Sequence, residues 1–410
     1  MPTNNIIFSS TRQWNPGDEF ILMGIRGILS EVGADYNAII FNRNPDVRSC
    51  FQDKQIFKRS KLPNDFWNNS ETISLEANLK FGFFDNSLKP DMDCSFADWV
   101  VLAGTPEWCN GKMYDLYAAV IRHQLPLMIL GVGGNCDIYH PSFREVIAKA
   151  KVFIVRDQST YDAACKEGFV PTLLPCPALL AAPKGRERLI ESVRKVALIY
   201  QATRDESVIW NGFSYDAYNT MLQIHRDLIQ TRPDLQFEII CHYVDELPLA
   251  VRDFQGLPIR YSYDVTDYID IYASFDFVVG SRVHGLGIAA SLGIPGVALA
   301  HDSRGATCEG FLSTILSLDQ GNVAADVIDN AIVRAPQTSI DLGKHKAKTM
   351  LRYKSAVAKG LTDSTVSYAV PELIVEDRQF NLRDLRAIYE ALEVIKHEPK
   401  TQPATGPTSV

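Results

Sequence analysis

Short runs rich in Val, Ile and Leu alternate along this chain with longer stretches in which apolar residues return every three or four positions. A continuous apolar run fits a strand buried on both faces of a parallel sheet, and the helical recurrence fits an amphipathic helix laid against it. In the first half the pattern predicts strands at residues 5–8, 38–41, 99–103, 127–130, 152–155 and 172–174. Helices are predicted at 19–32, 113–123, 142–150 and 159–167. A second series follows the segment LPCPALLAAPKGRER, with strands at 195–200, 237–241, 259–261, 275–279 and 296–299. Its helices are predicted at 214–231, 266–273, 283–292 and 307–317. Strict alternation of strand and helix implies an α/β fold, here two Rossmann-like domains facing a cleft. Ligands of such folds sit at the carboxyl ends of the strands. The expected division is a first domain at 1–185, a second at 190–335 and a helical segment at 340–396 that crosses back onto the first domain. A Pro/Thr-rich disordered tail is expected at 397–410. Residues 43–93 are polar and aromatic-studded and read as a long loop region, either a surface insertion or a wall for an acceptor.

Composition narrows the partners. The chain has 410 residues, with 41 Lys and Arg against 49 Asp and Glu, for a net charge of −8. Such a balance gives no bulk attraction for nucleic acid or anionic lipid. An anionic ligand must be held by a few placed arginines. The most apolar run, 288–300, is short and contains Gly and Pro, so no transmembrane segment is expected. No basic stretch precedes an apolar one at the start, so no signal peptide is read there. A cytoplasmic protein is expected, peripheral at the inner face of the membrane if its substrate is lipid-linked. The eight cysteines form no CxxC pair and no ligand-spaced set with histidine, which favours reduced thiols over disulfides or zinc. Cys165 and Cys241 are expected among the buried ones. No metal site and no cofactor are expected.

The sharpest local signal is FDFVVGSRVHGLGIAASLGIPGVALAHDSRG, residues 275–305. A buried strand ends at Gly280 and a helix begins at once, with Ser281 expected as its N-cap. Arg282 and His284 then fall at the helix start, where free N–H groups and the positive dipole end favour an anion. Arg304 follows the next strand and returns to the same sheet edge. A guanidinium, an imidazole and a helix terminus together suit phosphate or carboxylate, although such residues also serve merely to bond nearby carbonyls.

SRVHGLGIAASLGIPGVAL resembles the carboxyl-terminal signature of the polysaccharide pyruvyl transferase family, with its Ser-Arg-x-His-Gly turn. ILGVGGN and AKVFIVRDQSTYDAACKEGF resemble that family's central segment, and NPGDEFILMGIRGIL its amino-terminal Gly-Asp turn. The resemblance implies a glycosyltransferase-B-like fold and transfer of the pyruvyl group of phosphoenolpyruvate, as co-substrate, to a sugar, giving a ketal. It implies His284 as the catalytic residue and Arg156, Arg282 and Arg304 as donor-binding residues, with Ser281 beside them. Asp18, Glu19 and Trp108 are the acceptor-side candidates, the carboxylates also suiting dipole pairing and the indole also suiting a core. The acceptor would be a polysaccharide precursor, lipid-linked or free, and self-association into a homo-oligomer is left open. An imidazolium next to a phosphate dianion would hold its proton firmly enough to act as general acid. Two other readings stand beside this one: a nucleotide-sugar glycosyltransferase of the same fold, and a non-catalytic sugar-binding homologue.

Overall fold

The computed structural model describes residues 4–10, 15–42, 82–85, 94–104, 108, 113–134, 141–203, 213–243, 246–262 and 265–362. The first domain contains β1 (Asn4–Ser10), α1 (Pro16–Glu31), β2 (Tyr36–Asn42), β3 (Gly82–Asp85) and β4 (Trp99–Ala103). It continues with α2 (Tyr114–Arg122), β5 (Leu127–Val132), α3 (Pro141–Ala148), β6 (Ala150–Val155), α4 (Gln158–Lys166) and β7 (Thr172–Leu173). Among the described residues its sheet is wholly parallel, in the order β3-β2-β1-β4-β5-β6-β7.

The second domain contains β8 (Lys195–Ile199), α5 (Tyr215–Thr231), β9 (Gln236–Ile240), α6 (Leu247–Asp253) and β10 (Ile259–Arg260). After these come α7 (Asp267–Ala273), β11 (Phe277–Gly280), α8 (Val283–Ser291), β12 (Gly296–Ala300) and β13 (Thr314–Ser317). This sheet is parallel in the order β10-β9-β8-β11-β12-β13. In each sheet the chain reverses its direction of progress beside the first strand, between β1 and β4 and between β8 and β11. Crevices open at such switch points, at the carboxyl ends of the strands. The loops from β1 to α1 and from β11 to α8 leave from these two points.

An apolar core continues across the boundary between the sheets. Phe20 of α1 is fully buried, with its edge against His242 and Tyr268 of the second domain at 6.0 and 5.7 Å between centroids. The junction segment, a 3₁₀ turn at Pro177–Leu180, is buried between α1 and α8. A single helix, α9 (Ala324–Thr362), then runs along both domains. Ser339 Oγ donates to Gly293 O at 2.6 Å and accepts from Ile190 N at 3.0 Å. Lys346 Nζ donates to Ser291 O and Ala182 O, and Tyr353 Oη donates to Pro175 O at 2.9 Å. The part of the expected crossing helix beyond residue 362, and the expected tail, lie outside the described residues.

Four local expectations change. Residues 307–317, expected as a helix, form 3₁₀ turns at Ser303–Phe311 and then β13. Leu312, at a φ of 52°, ends the turns, and Leu316 enters the core beside β12. β3 falls inside the stretch expected as loop. The helix expected from residue 340 begins earlier, α9 starting at Ala324 and continuing through Pro336. Cys165 is exposed, whereas Cys94, Cys176, Cys241 and Cys308 are buried and free. Among the described residues no helix is long and apolar enough to cross a membrane.

Candidate active site

α8 begins where β11 ends, and its first residues are held from below. Ser281 does not cap the helix: its Oγ donates to Gln201 Oε1 at 2.7 Å, tying the end of β11 to the end of β8. Arg282 takes the N-cap position in extended conformation, with no side-chain cap bond. Its guanidinium pairs with Glu246, whose carboxylate is fully buried. The other Glu246 oxygen accepts the N–H groups of His242 and Tyr243, each at 3.0 Å. The Tyr243 ring lies 4.1 Å from the Arg282 guanidinium carbon, a cation–π distance. Arg282 is thus largely neutralised, and it braces the β9 turn against α8.

His284 projects from the first turn of α8 toward the other domain. Its Nε2 lies 3.3 Å from Nη1 of Arg156. A guanidinium has only N–H donors, so a hydrogen bond between the two runs from Arg156 Nη1 to His284 Nε2. On the far side of the ring is the start of α1. Asn15 caps that helix, its Oδ1 accepting Gly17 N–H at 3.1 Å. A Cβ on Gly17 would stand only 2.7 Å from His284 Nδ1, so glycine is what lets the imidazole approach the helix end. Tyr243 Oη reaches Asn15 Oδ1 in a long contact of 3.5 Å. Asp18 and Glu19, in the same first turn, are buried at 5% and 3% exposure.

Arg156 follows β6 and is only 4% exposed. The loop after β5 folds over it: a Cβ on Gly133 would meet Arg156 Nε at 2.7 Å and Asp157 Oδ2 at 2.2 Å. Asp157 turns its carboxylate away toward other donors, accepting Thr160 N–H at 2.8 Å, Ser159 Oγ–H at 2.9 Å and Gly134 N–H at 3.1 Å. Burial opposes its ionisation, but these hydrogen bonds, helped by the Arg156 charge, hold it below the usual carboxylate range. The Nε–H of Arg156 is buried without an acceptor. Beneath it lies the Cys176 thiol, pushed up by burial against the opposing pull of the Arg156 charge. A desolvated guanidinium with an unmet donor, next to an imidazole and two helix N-termini, is arranged for an anion.

The family model for polysaccharide pyruvyl transferase matches residues 15–303, more than two thirds of the chain. The chain belongs to the polysaccharide pyruvyl transferase family. Among curated proteins none matches its sequence. Among solved structures it is similar to a putative UDP-N-acetylglucosamine 2-epimerase from Listeria monocytogenes, at 13% identity and a TM-score of 0.52. That similarity covers 90% of this chain and 100% of the other. A UDP-GlcNAc 2-epimerase from Neisseria meningitidis, solved with UDP-GlcNAc bound, is similar at 13% identity and a TM-score of 0.50, covering 88% and 99% of the two chains. At such identity the likeness speaks for the fold alone, a two-domain glycosyltransferase-B-like arrangement.

In this pyruvyl transferase family member, Arg304 is engaged by the carboxylate of its own turn. Its Nε and Nη2 donate to Asp302 Oδ2 at 2.8 and 2.6 Å, and its backbone N–H donates to Asp302 Oδ1 at 2.9 Å. Burial works against ionisation of Asp302, yet the bonds from His301 and Arg304 outweigh it and hold that carboxyl well below its ordinary range. Trp108 corrects the expectation of a sugar-stacking face. It is 1% exposed, its ring 6.0 Å from Phe153 in the first domain's core, and Tyr117 Oη donates to its carbonyl. Trp14 and Trp210, also weighed for stacking, lie outside the described residues. Among the described residues no group of three or more His, Cys, Asp or Glu is placed to hold a metal ion.

Several residues of the site escaped the sequence. Asn15 carried a usable signal, since Asn before Pro is a strong N-cap with Pro at the first helical position. Gly17 and Gly133 gave only turn signals. Glu246 and Tyr243 gave none, because their approach to Arg282 follows from the packing of β9 beside β8.

Proposed function

We propose that this protein transfers the pyruvyl group of phosphoenolpyruvate to a sugar of a polysaccharide or lipid-linked precursor, forming a pyruvate ketal and releasing phosphate. The observation that carries this reading is Arg156, a buried guanidinium with an unmet Nε–H that meets His284 across the domain boundary. Phosphoenolpyruvate brings the missing acceptors, a carboxylate and a phosphate. Its oxygens replace His284 Nε2 at Arg156, because a charge-assisted bond is stronger than one to a neutral ring. The released imidazole, now beside an anion, takes up a proton and becomes the general acid.

His284 gives that proton to the methylene carbon of the enol, which becomes a methyl group. The C2 cation is attacked by one sugar hydroxyl, whose proton restores the imidazolium. A second hydroxyl displaces phosphate, and its proton leaves with the product as hydrogen phosphate. The N–H groups at the start of α8 stabilise the departing charge. Asp18 and Glu19 stand on the acceptor side, at the start of α1. Arg282 acts through position, holding the α8 terminus to Glu246, and Arg304 is a second-rank donor contact that must first yield part of its pairing with Asp302. The reaction would run in the cytoplasm, at the inner membrane face for a lipid-linked acceptor.

The test is to incubate the protein with phosphoenolpyruvate and a panel of lipid-linked and nitrophenyl sugars. Phosphate release and a mass gain of one pyruvyl unit on a sugar are expected. His284→Gln should lower turnover by about 10²–10⁴-fold, the worth of a positioned general acid, with thermal unfolding unchanged. The bound UDP-GlcNAc of the Neisseria epimerase makes that nucleotide sugar the control. Stabilisation or turnover with UDP-GlcNAc, and neither with phosphoenolpyruvate, would overturn the proposal.

A further inference from the structure

Between α1 and α9 runs a groove of about 1470 Å³, floored by the junction residues 180–183 and the start of β2. α1 presents Met23 and Gly27 to it, and α9 presents Gly343, Ala347, Met350 and Leu351, which recur at helical spacing on one face. Met23, Ala34, Ala38 and Met350 pack on the core but are only half-buried, and Leu351 is 67% exposed. Two rim charges are already engaged within the chain, Lys346 by Glu187 at 2.8 Å and Lys354 by Glu31 at 3.2 Å. The rest of the lining is mostly apolar. Gly27 and Gly343 sit in helix interiors, where glycine costs about 1 kcal/mol relative to alanine. A Cβ on Gly343 would meet no atom within 4 Å, and one on Gly27 only Leu180 O at 3.5 Å. No contact among the described residues requires either glycine, whereas an element lying close in the groove would.

α9 ends at Thr362, and the sequence beyond it holds an amphipathic stretch. Leu382, Leu385, Ile388, Tyr389, Leu392 and Ile395 fall on one face of the helical period. Asn381 is a favoured N-cap type, Asp384 suits a first turn, and neither Pro nor Gly follows until Pro399. So short a helix is marginal in water by itself, and its stability has to come from burying that face. Residues 382–395 would make about 20 Å of helix, against roughly 17 Å of α9 between Gly343 and Lys354. The 19 residues 363–381 reach up to about 60 Å when extended, and only about 22 Å separates Thr362 from Ala347 along α9. A tethered segment meets its own groove at an effective concentration in the millimolar range, which favours it over a second copy or a separate partner.

We propose that residues 382–395 of this chain occupy the groove between α1 and α9. Leu385, Ile388 and Leu392 lie against Met23, Met350 and Leu351, and the incoming backbone comes close to Gly27 and Gly343. Seated there, the segment pins α1, which carries Asn15 and Gly17 at its other end, to the helix that runs along both domains. Neither the donor site nor the proposed reaction enters this reasoning.

The experiment is hydrogen exchange with peptide mapping on the full chain at about 1 μM, together with peroxide footprinting of Met23 and Met350. In the wild type, residues 382–395 should exchange about 10–100-fold more slowly than an unstructured peptide, and both methionines should oxidise slowly. Gly343→Trp fills the groove from a position with open space around it, and should abolish the protection of 382–395 while leaving the exchange of β5 unchanged. Leu385→Asp combined with Leu392→Asp should speed the oxidation of Met23 and Met350. A chain carrying Ala347→Cys and Ile388→Cys should form a link within itself under mild oxidation. Full exchange of 382–395 in the wild type, protection that survives Gly343→Trp, or methionine oxidation indifferent to the paired Asp substitutions overturns the proposal. So does a 347–388 link between chains or protection that grows with protein concentration, either of which marks a second copy. Protection that requires anionic vesicles marks a membrane as the occupant and overturns it too.

Discussion

Gly17→Ala separates the geometry of the proposed site from the stability of the fold. Gly17 sits in the first turn of α1, where its N–H already bonds Asn15 Oδ1, and alanine there should be neutral or mildly favourable for the helix. The new methyl carbon, however, would lie 2.7 Å from His284 Nδ1 and 3.3 Å from His284 Cβ. Ordinary contact begins near about 3.5 Å, so the ring has to withdraw by roughly 0.8 Å. It cannot do so freely, because Arg156 stands 3.3 Å from its other edge. A misplacement of about 1 Å at a reacting group is worth on the order of 10²-fold in rate. Turnover should therefore fall by about 30–100-fold, with the affinity for phosphoenolpyruvate changed far less. The assay is phosphate release under saturating donor, with thermal unfolding of the same sample as the control. If Gly17→Ala keeps wild-type turnover, the imidazole does not work from the place proposed for it. A parallel collapse in unfolding temperature would also sink the reasoning, since it would make the glycine a folding residue.

Three further outcomes are expected. Arg156→Lys leaves one ammonium where a planar fork stood, and should weaken phosphoenolpyruvate binding by about 10–100-fold in a titration; unchanged affinity would remove Arg156 from the donor. Trp108→Ala should cost about 3–5 kcal/mol of unfolding free energy by opening the first domain's core, and a shift confined to the KM for sugar would restore the stacking role. His225, through burial, and His242, through burial and the Arg282 charge, are each pushed down to about 3. Both are neutral in the folded protein, so only the unfolded chain takes up protons below its ordinary value of about 6.5, and stability is full above that pH and declines toward pH 3. Between pH 7 and pH 5 each should remove about 2 kcal/mol in urea unfolding, and His225→Leu should cut that loss by half; an unaltered pH dependence would show the ring to be hydrated.

The strands and most helices were legible because their signals are local. A parallel strand covered on both faces must be apolar throughout, as at residues 127–132 and 277–280, and no other short element has that requirement. The failures have equally local causes. Thr314–Ser317 carries a single core residue, Leu316, and pairs only because β12 is already in place. Ser281 looked like a cap by type and position, but Gln201 at the end of the neighbouring strand competes for its hydroxyl.

For the site, sequence delivered the residue types and the order of the motifs. His284 and Arg156 were named as functional partners although 128 positions separate them, and the resemblance to a family was what linked them. Distance, partner and charge state were decided by tertiary structure alone. Arg282 and Arg304 look alike in sequence, but one pairs with buried Glu246 and the other with Asp302, while Arg156 pairs with no carboxylate among the described residues because Asp157 is engaged by Thr160, Ser159 and Gly134. The sequence by itself thus determined which elements form and that they alternate, since hydrophobic period and capping act within a few residues. Which arginine is left facing the cleft depends on how β9, α4 and the β5 loop pack, and those are contacts between segments distant along the chain.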